Sequence, residues 1–120
     1  MPIQTKRIYD APSPADGHRL LVMRVWPRGV RKDRVDAWER GLAPSRELLT
    51  DLRSQAIDWP AFARRFDEEM AQREDSVAAL AALRERVRSE TVTLLCWEAD
   101  GTNCHRALLR ALVEGTPLSA

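Results

Sequence analysis

The segment TVTLLCW, Thr91 to Trp97, constrains the fold more than any other part of the chain. Side chains alternate along a strand, so Val92, Leu94 and Cys96 face one way and Thr93, Leu95 and Trp97 the other. A strand this apolar on both faces belongs in the middle of a sheet, with helices over both sides. Glu98 to Asn103 then makes a six-residue link of ordinary strand-to-helix length. Asn103 reads as an N-cap, which puts Cys104, His105 and Arg106 in the first helical turn. Two thiols, an imidazole and a guanidinium therefore gather near the carboxyl end of a buried strand, where open α/β sheets place their ligands.

The rest of the chain supplies a sheet and helices to surround that strand. Ile3 to Tyr9 alternates as a short strand, and Asp10 to Gly17, carrying Pro12 and Pro14, is a loop. Arg19 to Trp26 reads as a second strand in which Arg24 shares a face with Leu20, Val22 and Trp26. A guanidinium there cannot shed its charge and requires a carboxylate or an anionic ligand. Pro27 and Gly29 end that strand, while Val35 to Leu42 fits either a short edge strand or an irregular connection. Ser45 caps a first helix and Asp58 a second, whose Trp59, Phe62, Ala63, Phe66 and Met70 form one apolar face. A third helix is expected from Ser76, with Val77, Leu80, Leu83 and Val87 inward. In the last helix His105 shares the face of Leu108, Leu109 and Leu112, whereas Arg106, Arg110 and Glu114 form a stripe toward water. The expectation is an α/β fold: one compact three-layer domain over residues 1–120, about four strands in a mostly parallel central sheet, flanked by about four helices.

Composition removes several function classes. With 44% hydrophobic and 31% charged residues the chain is globular, and nothing in it approaches the ~20 apolar residues of a membrane span. The absence of a secretory pattern makes the cytoplasm the expected location and a membrane an unexpected partner. A net charge of +1 and a pI near 7.9 fall short of the pI above about 9 typical of domains built to grip nucleic acid. Two cysteines alone cannot close a four-ligand zinc site, and His18 lies far off in sequence, so neither metal nor cofactor is expected.

Three chemical readings stay open. Cys104, at a helix start beside Arg106, has an environment that lowers a thiol pKa, so Cys104 or Cys96 serves as a nucleophile with His105 as its base. Alternatively Cys96 and Cys104 form a redox-responsive dithiol. In the third, the helix start joins Arg24, Arg28 and Arg106 in a pocket for a small anionic or nucleotide-like ligand. Against these stands an inert reading, with both thiols as small buried hydrophobes and His105 held by a backbone carbonyl. A nucleic-acid alternative rests on the run Arg19 to Arg34, six basic residues against Asp33, with Trp26 as a stacking surface.

The runs RIYD (Arg7 to Asp10), LLVMRVWPRG (Leu20 to Gly29), LAPSRELL (Leu42 to Leu49), WPAFARRFDEEM (Trp59 to Met70) and TLLCWEADGTNCHRALL (Thr93 to Leu109) resemble the YeaO-like branch of the domain-of-unknown-function 488 (DUF488) family. VWPRG after a strand is the most specific of them. The resemblance implies a compact single-domain α/β protein and names no reaction. It also implies that Met23 stands where the branch usually has an aspartate, removing a carboxylate partner for Arg24. Members that lack the thiols shift weight to His105 and the Arg24, Trp26 and Arg28 segment. The candidate site is thus Cys96, Cys104 and His105 as catalytic candidates, with Arg24, Trp26, Arg28 and Arg106 as ligand-binding candidates and a small anion as the favoured partner.

Overall fold

A computed structural model describes residues 3–97 and 104–115. Four strands, β1 (Ile3–Arg7), β2 (His18–Leu21), β3 (Ala37–Trp38) and β4 (Val92–Cys96), form one sheet in the order β1-β4-β2-β3. Every pairing is parallel, with Ile3 through Arg7 opposite Val92 through Cys96, and His18 through Leu21 opposite Val92 through Leu95. The last strand of the chain thus enters the middle of the sheet, and all five of its residues are buried. This matches the position its two apolar faces require.

Four helices, α1 (Arg46–Arg53), α2 (Trp59–Gln72), α3 (Glu74–Val87) and α4 (His105–Glu114), complete the α/β domain. No helix among the described residues is long and apolar enough to cross a membrane. Ser45 and Asp58 cap α1 and α2, accepting from the amides of Leu48 (3.1 Å) and Ala61 (3.0 Å). The third helix begins at Glu74 rather than Ser76, because Arg73 both ends α2 and opens α3, and Glu74 and Asp75 place negative charge against the helix dipole. Ser76 is consequently buried and Val77 exposed, so the inward face is Ser76, Ala79, Leu80 and Leu83. Cys104, not Asn103, holds the N-cap position of α4; Asn103 lies outside the described residues.

All four helices pack on one face of the sheet. Their Leu48, Phe62, Phe66, Met70, Leu80, Leu83, Leu108 and Leu109 meet Ile3, Leu20, Val22, Val92 and Leu94 in a single core. The opposite face, expected to carry helices too, is covered by loop. Ile8, Leu21, Met23 and Leu95 cluster there with Trp26, Val30, Val35 and Trp38. The segment after β2 carries Pro27 and a Gly29 at φ +77°, which suit a folded-over loop and not a helix.

The second strand ends at Leu21 instead of Trp26. Leu21 pairs with Leu95 and Trp38, and Val22 donates a last amide to the Leu95 carbonyl at 3.1 Å. Beyond that point both neighbours stop. The Met23 carbonyl instead accepts from the Trp38 indole at 2.7 Å, and the Arg24 side chain turns away to the Pro44 carbonyl at 2.8 Å.

Candidate functional site

The carboxyl ends of β2 and β4 open into a cleft of about 270 Å³. Its floor is Cys96, closing β4, and His105, opening α4; one wall is Met23, Arg24 and Val25, and the other is Pro44 with Arg46, Leu49, Thr50 and Arg53 of α1. Glu69 of α2 accepts from the Ser45 amide at 2.8 Å and from the Ser45 hydroxyl, which fixes the start of α1. The Arg24 Nε donation to Pro44 then ties the first wall to the second. Trp97, 45% exposed, stands on the rim.

Three cations face this space. Among the described residues none of Arg24, Arg46 and Arg53 makes a salt bridge. Burial, followed by the positive charges of Arg73 and Arg46, holds the Arg24 pKa below the usual arginine value. Met23 contributes only apolar surface, so no carboxylate reaches Arg24 from that position.

The floor is an interlocked group of three buried residues. His105 Nε2 lies 2.6 Å from the Val22 carbonyl oxygen. A carbonyl can only accept, so Nε2 carries a proton, and in the neutral tautomer this selects, Nδ1 keeps its lone pair. That lone pair faces the Cys104 sulfur at 3.7 Å. Cys96 Sγ, Cys104 Sγ and the His105 ring nitrogen all lie within 4.8 Å of one another. The sequence expectation of a lowered Cys104 pKa is overturned. A hydrogen bond with the Cys96 thiol, and then burial, push Cys104 far above the ordinary thiol range, outweighing the opposite effect of His105. Cys96 and Cys104 are not joined in a disulfide.

Of the residues singled out in the sequence, Arg24, Cys96 and His105 line the cleft, and Cys104 sits against His105 at its base. Trp26 does not face it. Its indole donates to the Val30 carbonyl at 2.8 Å, and its ring meets Trp38 edge-on at 5.3 Å between centroids. Arg28 is exposed on the loop, where its carbonyl accepts from the Tyr9 hydroxyl. Arg106, expected on a solvated stripe, is buried at 4% exposure and is no part of the cleft wall. The basic run also disperses: Arg19 is buried against Asp16 and Arg34 donates to the Asp10 carbonyl. Sequence reasoning missed Arg46, Thr50 and Arg53. They recur at i, i+4 and i+7 on the side of α1 away from buried Leu48, and that spacing was the available signal.

The family model DUF488-N3a, the active DUF488-N3 subclade, matches residues 3–116. The chain belongs to the DUF488 family. Within it this DUF488 chain is YeaO-like, being 35% identical over 113 residues to the uncharacterised protein YeaO of Escherichia coli (strain K12), 92% of this chain and 95% of that one. It is 38% identical over 115 residues, 94% of each chain, to the uncharacterised protein Rv3073c of Mycobacterium tuberculosis (strain ATCC 25618 / H37Rv). No solved structure matches. Every described residue of the DUF488 cleft lies within the matched span.

Proposed function

We propose that the cleft binds a small anionic ligand of phosphate or sugar-phosphate size, with Arg24, Arg46 and Arg53 as its cationic walls and the thiol and imidazole group as its floor. The observation carrying this reading is the convergence of three arginines, none in a salt bridge among the described residues, on one concave space at the strand ends. A volume of about 270 Å³ is at the small end of ligand sites, which argues for one phosphate-bearing unit rather than a dinucleotide. Trp97 on the rim offers a ring face to a base or sugar, the nucleotide-like form of the ligand. Two neighbouring thiols not joined in a disulfide suit a reducing compartment, and we infer a cytoplasmic location. The nucleic-acid alternative draws less support, since Arg19 and Trp26 are both engaged inside the fold.

Isothermal titration at low salt with inorganic phosphate and with a nucleoside monophosphate tests the reading. A charge-assisted hydrogen bond contributes about 1.5–3 kcal/mol, so Arg24→Ala should weaken binding by about tenfold or more. No binding of either anion by the wild-type protein, or an unchanged affinity in Arg24→Ala, rejects it.

A further inference from the structure

We propose that Cys96, Cys104 and His105 form a three-ligand site for a zinc-class divalent cation, with the fourth coordination position opening into the cleft. The three donors come from the end of the central strand and the start of α4, and all lie within 4.8 Å of one another. Tetrahedral zinc, with bonds of about 2.3 Å to sulfur and 2.0–2.1 Å to nitrogen, holds sulfur and nitrogen roughly 3.6 Å apart. Cys104 Sγ and His105 Nδ1 are already 3.7 Å apart.

The surroundings of His105 point to a ligand independently of the cysteines. Metal-bound histidines donate their second ring N–H to a carbonyl or carboxylate, which fixes tautomer and ring orientation. His105 does this through Nε2 to the Val22 carbonyl, leaving the Nδ1 lone pair aimed at the thiols. Two cysteines and a histidine with one open position are a ligand set of catalytic rather than structural zinc. Cys96 and His105 line the cleft, so the open position faces the space where a water or an anionic ligand would sit.

Binding is a simple exchange. Each cysteine S–H bond breaks, its proton leaves to solvent, and a sulfur–zinc bond forms, with no change of oxidation state. Two thiolates cancel the charge of the cation, so the centre is neutral and the arginines of the cleft do not oppose it.

This site goes beyond the anion reading and is tested by the metal alone. Co2+ is titrated into the reduced protein, followed by displacement with Zn2+. One equivalent should give the intense visible bands of tetrahedral cobalt and a near-ultraviolet thiolate-to-cobalt band, both lost on adding Zn2+. Cys96→Ser, Cys104→Ser and His105→Gln should each weaken Zn2+ binding by more than about a hundredfold, since even outer partners of such ligands are worth 10–100-fold. If those variants do not fold, the wild-type thiolate-to-cobalt band decides alone. Absence of that band, octahedral cobalt spectra, or Zn2+ affinity unchanged in a folded cysteine variant overturns the proposal. Anion titration of metal-free protein is unaffected by that outcome, so the two readings fail separately.

Discussion

Replacing Asp16 by alanine should be the most destabilising single change on the loop-covered side of the sheet while leaving the cleft intact. The Asp16 carboxylate is 3% exposed and accepts from Lys6 Nζ at 3.0 and 3.2 Å, from the Ser13 amide at 3.0 Å and from the Arg19 guanidinium. Arg19 itself is only 8% exposed, and without Asp16 it retains the Arg34 carbonyl but loses its ion-pair carboxylate. Lys6, at 23%, has a route to solvent. Breaking one side of a buried pair costs about 3–5 kcal/mol, a large share of the roughly 5–15 kcal/mol that holds a domain folded. For a chain of this length that corresponds to a fall in Tm on the order of 10–20 °C. Urea unfolding followed by tryptophan fluorescence reads it. Asp16→Ala/Arg19→Met should recover much of the loss, because removing both charges removes the uncompensated one.

The same carboxylate sets a pH dependence. Burial alone would raise the Asp16 pKa, but the Lys6, Ser13 and Arg19 contacts outweigh it and leave the folded value below the ordinary one. Its contribution is therefore complete above the unfolded pKa, about 3.9, and disappears as pH falls through the depressed folded value. Asp16→Asn should flatten the acid limb of stability below about pH 4. A cost under about 1 kcal/mol for Asp16→Ala, the level of a surface pair, or a double variant no more stable than the single one, would refute the reasoning.

Gly17→Ala should be lost for a steric reason, since the residue sits at φ +62° and a Cβ there would lie 2.3 Å from the Thr91 carbonyl oxygen. That oxygen accepts from the His18 amide at the start of the β2–β4 ladder, so a cost of roughly 3 kcal/mol or more is expected; an unchanged urea midpoint would contradict it. The metal-free thiols should resist alkylation, because both are buried and the Cys104 pKa is raised. Native protein at pH 8 should react at least about a hundredfold more slowly than the unfolded chain, whereas fast reaction at pH 7 would restore an activated nucleophile.

Much of the fold was legible because it depends on neighbours within a turn. The Ser45 and Asp58 caps, the Phe62, Phe66 and Met70 face, and His105 turned inward with Leu108 and Leu109 follow from spacing alone. The strand after Gly17 was read too long because alternation from Arg19 to Trp26 carries no record of where the partner strands end. Arg106 was assigned to water on helical phase, yet it is buried, since phase separates faces and does not say what covers each one. For the same reason helical phase alone does not single out Arg46, Thr50 and Arg53; the Met23–Val25 segment across the cleft from them does.

By itself the sequence determined a central strand apolar on both sides, the helices that must cover it, and a cluster of thiols, imidazole and arginine near its carboxyl end. Only the tertiary structure decided that all four helices take one face, that Arg24 meets α1 across a cleft, and that His105 reaches the Val22 carbonyl 83 residues away. Alternation and capping are set by bonds a few residues long. The contact that fixes the His105 tautomer exists because β4 enters beside β2 in the order β1-β4-β2-β3, and that order is a property of the packed sheet.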